Sequence, residues 1–295
     1  MFSWKFSSNI VGLVAILFSM HSHAKNSIDD ILRKIVAINP SQLKDCAYKG
    51  DRVCKRDLGL FYSYSFELPN GKTSLDIEKA KLWLSEVTSF PSARYALGEI
   101  YIQEADSIKQ GESLLFSSCV ENNKDACFVL YRMYEKEIDS KTECNGNTCN
   151  YAVYVIKKII ENESDDDLYM NGFGKKSVRY FNGKLARLLI KRKDPDAIPL
   201  LEKEVEADAP FASSLLAPLY ETGQLAPKNL TRAYMMYDLS GSGYADEKAK
   251  VAEQMTPAQV REAQEMSWRW QDDHRSYRAG YRGSDIGIHG KFEQR

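Results

Sequence analysis

The chain has 295 residues, 43% of them hydrophobic and 27% charged, which is the profile of a folded protein rather than a disordered one. Lysine plus arginine number 40 against 41 acidic residues, so no net charge favours a nucleic acid or an anionic membrane surface as partner. Only four histidines are present, which leaves little material for histidine-based catalysis or a histidine-rich metal centre.

Residues 1–24 differ in kind from the rest. Lys5 supplies a positive start, Ile10 to Phe18 form an apolar run broken by Gly12, and Ser22-His23-Ala24 ends in small residues. This is the layout of a secretory signal peptide cleaved after Ala24. The apolar run is far shorter than the roughly 20 residues that a membrane span requires. No cysteine follows the cleavage point, which argues against a lipid anchor there. The mature chain is therefore expected to be periplasmic or secreted, with no membrane span.

Beyond the leader, apolar residues recur at three- and four-residue spacing, and turn residues separate the runs. Helices are predicted at 29–38, 53–66, 76–87, 92–104, 109–120, 125–137, 149–162, 178–192, 195–206, 211–222, 229–240 and 257–271. One helix type repeats the pattern Ala-x-x-x-Leu-Gly-x-x-Tyr. Its copies are Cys54, Leu58, Gly59, Tyr62; Ala93, Leu97, Gly98, Tyr101; Ala126, Leu130, Tyr131, Tyr134; and Ala212, Leu216, Ala217, Tyr220. The first three copies start 39 and 33 residues apart, a period that signals stacked helical hairpins. The other type reads Asp76-x-x-Lys79-Ala80-x-x-Trp83, with a weaker relative at Asn229, Arg232, Ala233 and Met236. Asp76 and Asn229 stand where helix N-caps belong. The pattern lapses over about 138–210, where Asp165-Asp166-Asp167 and Asn171-Gly172-Phe173-Gly174 indicate a long solvated loop across 161–177. Thr256-Pro257 opens a closing amphipathic helix. Residues 273–295 read as a flexible glycine- and arginine-bearing tail.

The domain plan is thus a leader at 1–24, a helical array at 25–272 and a tail at 273–295. The six cysteines fall in three close pairs, Cys46 and Cys54, Cys119 and Cys127, Cys144 and Cys149. In an exported chain an even count suggests disulfides, although six cysteines allow 15 connectivities. The repeat frame narrows the choice. Cys54 and Cys127 sit at or beside the residue that opens a pattern helix, and Cys46 and Cys119 near the end of the helix before. A Cys-x7-Cys bridge would staple two helices across their turn, and the ends of Cys144-Asn-Gly-Asn-Thr-Cys149 lie close enough to join. A zinc site is the alternative reading, but no histidine lies near any pair.

Asp76-x-x-Lys79-Ala80-x-x-Trp83 followed by Ala93-x-x-x-Leu97-Gly98-x-x-Tyr101 resembles the consensus of Sel1-like repeats, a branch of the tetratricopeptide-type solenoids. Ala212 to Tyr237 and the closing Met255-Thr256-Pro257-Ala258-Gln259 are similar to the same consensus. The likeness covers about residues 54–134 and 196–271. The Cys-x7-Cys spacing resembles that of cysteine-rich Sel1-like proteins secreted by some bacteria. The resemblance implies an all-α fold, a right-handed superhelical solenoid of antiparallel helix pairs that binds other proteins or, less often, peptides and glycan fragments. Exported members serve as envelope adaptors, some as immunity proteins against toxins passed between competing cells, and a few are assigned penicillin binding or beta-lactamase activity.

Candidate chemistry is thin. Removing the leader takes His21 and His23, leaving His274 and His289 in the tail. Gly172 to Ser177 fails the phosphate-loop pattern, with Tyr169 and Lys176 at the two positions that matter. Ser41-Gln42-Leu43-Lys44 fits Ser-x-x-Lys, but its companion Ser-Asp-Asn and Lys-Thr-Gly strings are absent. Glu202, Glu204 and Glu206 spread around one helix and read as solvated. Tyr48, Tyr64, Tyr95, Tyr151 and Tyr154 lie outside the pattern, and they suit either an interface or further packing. The sequence therefore points to a non-enzymatic, monomeric protein that binds a protein partner in the periplasm, with no cofactor and no metal. An immunity protein is its most concrete form. An envelope adaptor, or a beta-lactamase-like or cell-wall-fragment-binding protein, is the alternative.

Overall fold

Helical spacing becomes helix throughout the computed structural model, which describes residues 28–66, 73–140, 143–144, 146–162 and 174–274. In chain order the helices are α1 (Ile28–Ala37), α2 (Pro40–Tyr48), α3 (Arg52–Ser63), α4 (Ile77–Ser85), α5 (Pro91–Tyr101), α6 (Ile108–Val120) and α7 (Lys124–Asp139). They continue with α8 (Asn147–Asn162), α9 (Gly174–Lys191), α10 (Ala197–Glu206), α11 (Pro210–Thr222), α12 (Leu230–Leu239), α13 (Ala245–Ala252) and α14 (Pro257–Asp273). Among the described residues there is no strand beyond a single bridge residue, Thr73, and no helix is long and apolar enough to cross a membrane. The architecture is an all-α solenoid. The proposed leader lies outside the described residues, as do 163–173 of the predicted loop and all but the first two residues of the predicted tail.

The helices start where the sequence supplies caps. Asp51 accepts the Cys54 N–H at 2.8 Å, Asp76 that of Lys79 at 3.1 Å and Asn229 that of Arg232 at 2.9 Å. Thr256 and Gln259 form a reciprocal capping box, with Pro257 in the first turn of α14. Gly223 ends α11 with φ +77°, a conformation that costs a glycine nothing.

Two helices were not predicted, α2 and α13. Each buries too little for its periodicity to stand out: Leu43 and Ala47 in α2, Val251 alone in α13. The predicted helix 53–66 stops at Ser63 because Tyr64 turns to extended backbone, and its carbonyl accepts the Ser74 hydroxyl.

The described residues form two units. One takes those up to Asp139 and between Tyr154 and Lys176, and the other takes the rest. The division falls inside the stretch where the repeat pattern lapses. In the first unit α3 packs on α4, α5 on α6 and α6 on α7, while the pattern helices α3, α5 and α7 also touch in succession. In the second, α11 packs on α10 and α12, and α12 on α13 and α14.

The pattern residues are the packing. Leu58, Tyr62, Ala80, Trp83, Ala93, Leu97, Ala126, Leu130, Tyr134, Ala212, Leu216, Tyr220 and Ala233 are all buried. A Cβ on Gly59 would stand 2.6 Å from Leu84 Cγ, and one on Gly98 would stand 2.7 Å from Leu115 Cγ, so these glycines mark helix crossings. The pattern tyrosines are tied down by the second helix type. Lys79 lies over the Tyr62 ring, Lys81 over Tyr101 and Arg232 over Tyr220, at 5.5, 5.8 and 5.4 Å. The hydroxyls of Tyr134 and Tyr220 donate to Glu112 and Glu202 at 2.7 and 2.5 Å.

Each cysteine pair is a disulfide: Cys46–Cys54, Cys119–Cys127 and Cys144–Cys149, with Cα separations of 5.8, 4.8 and 5.8 Å. The second cysteine of every pair lies in the first turn of a helix, α3, α7 and α8 respectively. Each bridge therefore pins a helix start to the chain just before it.

Candidate functional site

In the first unit three successive pattern helices bring polar side chains to one place. Tyr64 leaves the end of α3, Tyr95 and Glu99 stand one turn apart on α5, and Asp125 opens α7. The Tyr64 hydroxyl donates to Glu99 Oε2 at 3.3 Å, and Tyr95 supplies a second hydroxyl hydrogen bond to the same carboxylate. Asp125 Oδ2 accepts the backbone N–H of Ile28, the first residue of α1, at 3.2 Å. A carboxylate from α7 thus satisfies one of the free amides at the start of α1, at the favourable end of its dipole.

Burial dominates the electrostatics. It pushes the Glu99 carboxyl up to about 7, and the neighbouring Asp125 charge pushes the same way. The hydrogen bonds from Tyr95 and Tyr64 act against it. Burial and the Glu99 charge hold the Tyr64 and Tyr95 hydroxyls well above their ordinary value, so both remain protonated donors. A carboxyl raised to about 7 by burial and held by two tyrosine hydroxyls marks a candidate site.

Sequence reasoning singled out Tyr64 and Tyr95 but missed Glu99 and Asp125. Glu99 sits inside the pattern, directly after Gly98, and its signal was masked by the structural role of its neighbours. The tyrosines outside the pattern differ in exposure. Tyr95 is buried, and the Tyr154 ring lies 5.4 Å from that of Phe116. Tyr48 is 77% exposed and meets the edge of Trp83 at 5.2 Å, and Tyr151 is also exposed.

One expectation is corrected. Glu204 is not solvated: it is buried and accepts a hydrogen bond from Asn182 Nδ2 at 2.7 Å, which compensates a carboxylate taken out of water. His274 has its ring stacked on Trp270 at 4.0 Å and its Nε2 3.7 Å from a Glu206 carboxylate oxygen. Ser41 and Lys44 are exposed on α2, with the Ser41 N–H donated to the Asn39 side chain, and neither belongs to the candidate site. Among the described residues the one grouping with metal-ligand types is Cys46, Asp51 and Cys54. Its sulfurs are bonded to each other and its carboxylate caps α3.

No protein-family model matches the sequence, and no curated protein is similar to it. Among solved structures the chain is similar to a protective antigen of uropathogenic Escherichia coli, c5321, described as displaying an SLR fold. The identity is 16% and the TM-score 0.35, over 79% of this chain and 56% of that one. It is also similar to a Sel1 repeat protein from Oxalobacter formigenes, at 16% identity and TM-score 0.37, over 77% of this chain and 58% of that one. The chain spans a little over half the length of each of these two structures.

Proposed function

We propose that the protein is an exported, non-enzymatic helical-repeat scaffold that binds a protein partner. Its binding face is that of α3, α5 and α7, and the partner presents a basic side chain to Glu99 and Asp125. The observation that carries this reading is the convergence of Tyr64, Tyr95, Glu99 and Asp125 from three successive pattern helices. Tyrosine supplies contact area with a polar tip, and a partly desolvated carboxylate pair rewards a cationic group. The sparse histidines and the leader-like first 24 residues support the non-enzymatic and exported parts of the reading, and so do the three disulfides.

The test is recovery of the partner from envelope extract by the mature protein, compared with Glu99→Gln and Tyr64→Phe. Both changes are close to isosteric and leave the helices intact. A partner held by the native protein and released by either change supports the reading. Equal recovery by all three proteins refutes it. The most concrete form, which rests on the resemblance to Sel1-like repeats, is neutralisation of a toxin passed between competing cells. Protection of a toxin-expressing host by co-expression, lost with Glu99→Gln, separates it from an adaptor role.

A further inference from the structure

The three disulfides are alike in placement and unlike in access. Cys119, Cys127 and Cys144 have no exposed surface and Cys149 has 1%, whereas Cys46 and Cys54 both keep contact with solvent. The turn between them, residues 49–51, is exposed throughout, as is Tyr48 beside it. Thiol–disulfide exchange requires an incoming thiolate to approach one sulfur in line with the S–S bond, so access is a precondition for reaction. We propose that Cys46–Cys54 is this protein's site of thiol–disulfide exchange, open to a dithiol while the other two bridges remain closed.

The chemistry is a two-step exchange. The first thiolate of the dithiol bonds to Cys46 Sγ. The S–S bond breaks, and its electron pair leaves on Cys54 Sγ. The second thiol of the dithiol then attacks the mixed disulfide and releases Cys46 as a thiolate. The dithiol ends as its own disulfide, oxidised by two electrons, and the protein cystine is reduced.

Cys54 is a suitable leaving group because it lies in the first turn of α3, where unpaired amides and the helix dipole favour a negative sulfur. The carboxylate of Asp51, which caps that turn, opposes the effect. Cys127 and Cys149 occupy the same kind of position at α7 and α8, so the helix terminus does not rank the three bridges. Solvent access does. A buried bridge reacts only after local opening of the structure around it, and that cost slows it.

The experiment is a time course of the native mature protein with dithiothreitol at neutral pH, quenched by alkylation and read by peptide mass mapping, with helicity followed by circular dichroism. Cys46 and Cys54 are expected to be alkylated at least about tenfold faster than the other four cysteines, with helicity retained at that stage. Earlier or simultaneous labelling at Cys119, Cys127, Cys144 or Cys149 overturns the proposal, and so does loss of helicity along with the first labelling. A Cys46→Ser/Cys54→Ser variant supplies a second reading. It should lack the fast phase and keep the slow one, and a fast phase that survives in it also overturns the proposal.

Discussion

Replacing Glu99 by glutamine should stabilise the protein above neutral pH and leave it almost unchanged in acid. The folded state raises the Glu99 carboxyl from its ordinary 4.5 to about 7, so the folded chain binds this proton more tightly than the unfolded chain does. The resulting stabilisation is fully present below about pH 4.5 and is lost as pH rises through about 7. A shift of that size corresponds to at most about 3 kcal/mol, and to about half of that once the solvent contact kept by this half-buried side chain is allowed for. Glutamine keeps an oxygen for the Tyr64 and Tyr95 hydroxyls and carries no charge at any pH. The wild-type protein should therefore lose about 3–10 °C of melting temperature relative to Glu99→Gln between about pH 5 and pH 8. Thermal melts of both proteins followed by circular dichroism across that range measure the difference. Asp57 and Glu204, also raised by burial, titrate equally in both proteins and cancel from the comparison. Parallel pH profiles for the two proteins would show that Glu99 is already solvated as an ordinary carboxylate and would refute the argument.

Other expected outcomes test the scaffold. Gly111→Ala would place a Cβ 2.8 Å from the Gly98 carbonyl oxygen and the Ile102 nitrogen, both backbone atoms that cannot step aside. It should cost about 1–3 kcal/mol by urea unfolding, whereas alanine at the open Gly243 should cost far less. Asn229→Ala removes the cap of α12 and should cost about 1 kcal/mol, with partial recovery on Asn229→Asp. Cys119→Ser/Cys127→Ser, which opens a short closed loop, should lower stability by about 2–3 kcal/mol in the chain-entropy estimate, as measured by chemical denaturation. Loss of the buried partner in Asn182→Ala should raise the Glu204 carboxyl further, because the hydrogen bond that now opposes burial disappears; NMR titration of the Glu204 side chain reads the change.

How far the structure could be read in advance depends on whether a residue acts locally. Caps were legible because Asp76, Asn229 and Thr256 announce themselves within four residues of the amides they accept. Repeat helices were legible because Leu58, Leu97, Leu130 and Leu216 recur in one frame, and the frame predicts close crossings at Gly59 and Gly98. The Cys46–Cys54 and Cys119–Cys127 bridges followed from the same frame, and Cys144–Cys149 from the shortness of its loop. What could not be read depends on distance along the chain. Glu99 and Asp125 are ordinary surface types, and only the approach of α3, α5 and α7 turns them into a shared, partly dry pair. Glu204 misled for the same reason, since its partner Asn182 lies on the preceding helix, 22 residues away. Helix α2 was missed because two buried residues in nine make too faint a rhythm.

The hydrogen bond from Ile28 to Asp125 spans 97 residues in a unit whose principal helix packing joins near neighbours. Most of the first unit can therefore assemble by local steps with low contact order, each helix finding the one before it. Helix α1 is the exception, because the group that completes its start belongs to α7. During synthesis the chain advances from its amino end, so α1 emerges before α7 and acquires this partner only after the six intervening and partnering helices have emerged. The order in which the segments appear and the order in which they lock are reversed at this point, and a thread of early sequence is left waiting for late sequence to hold it.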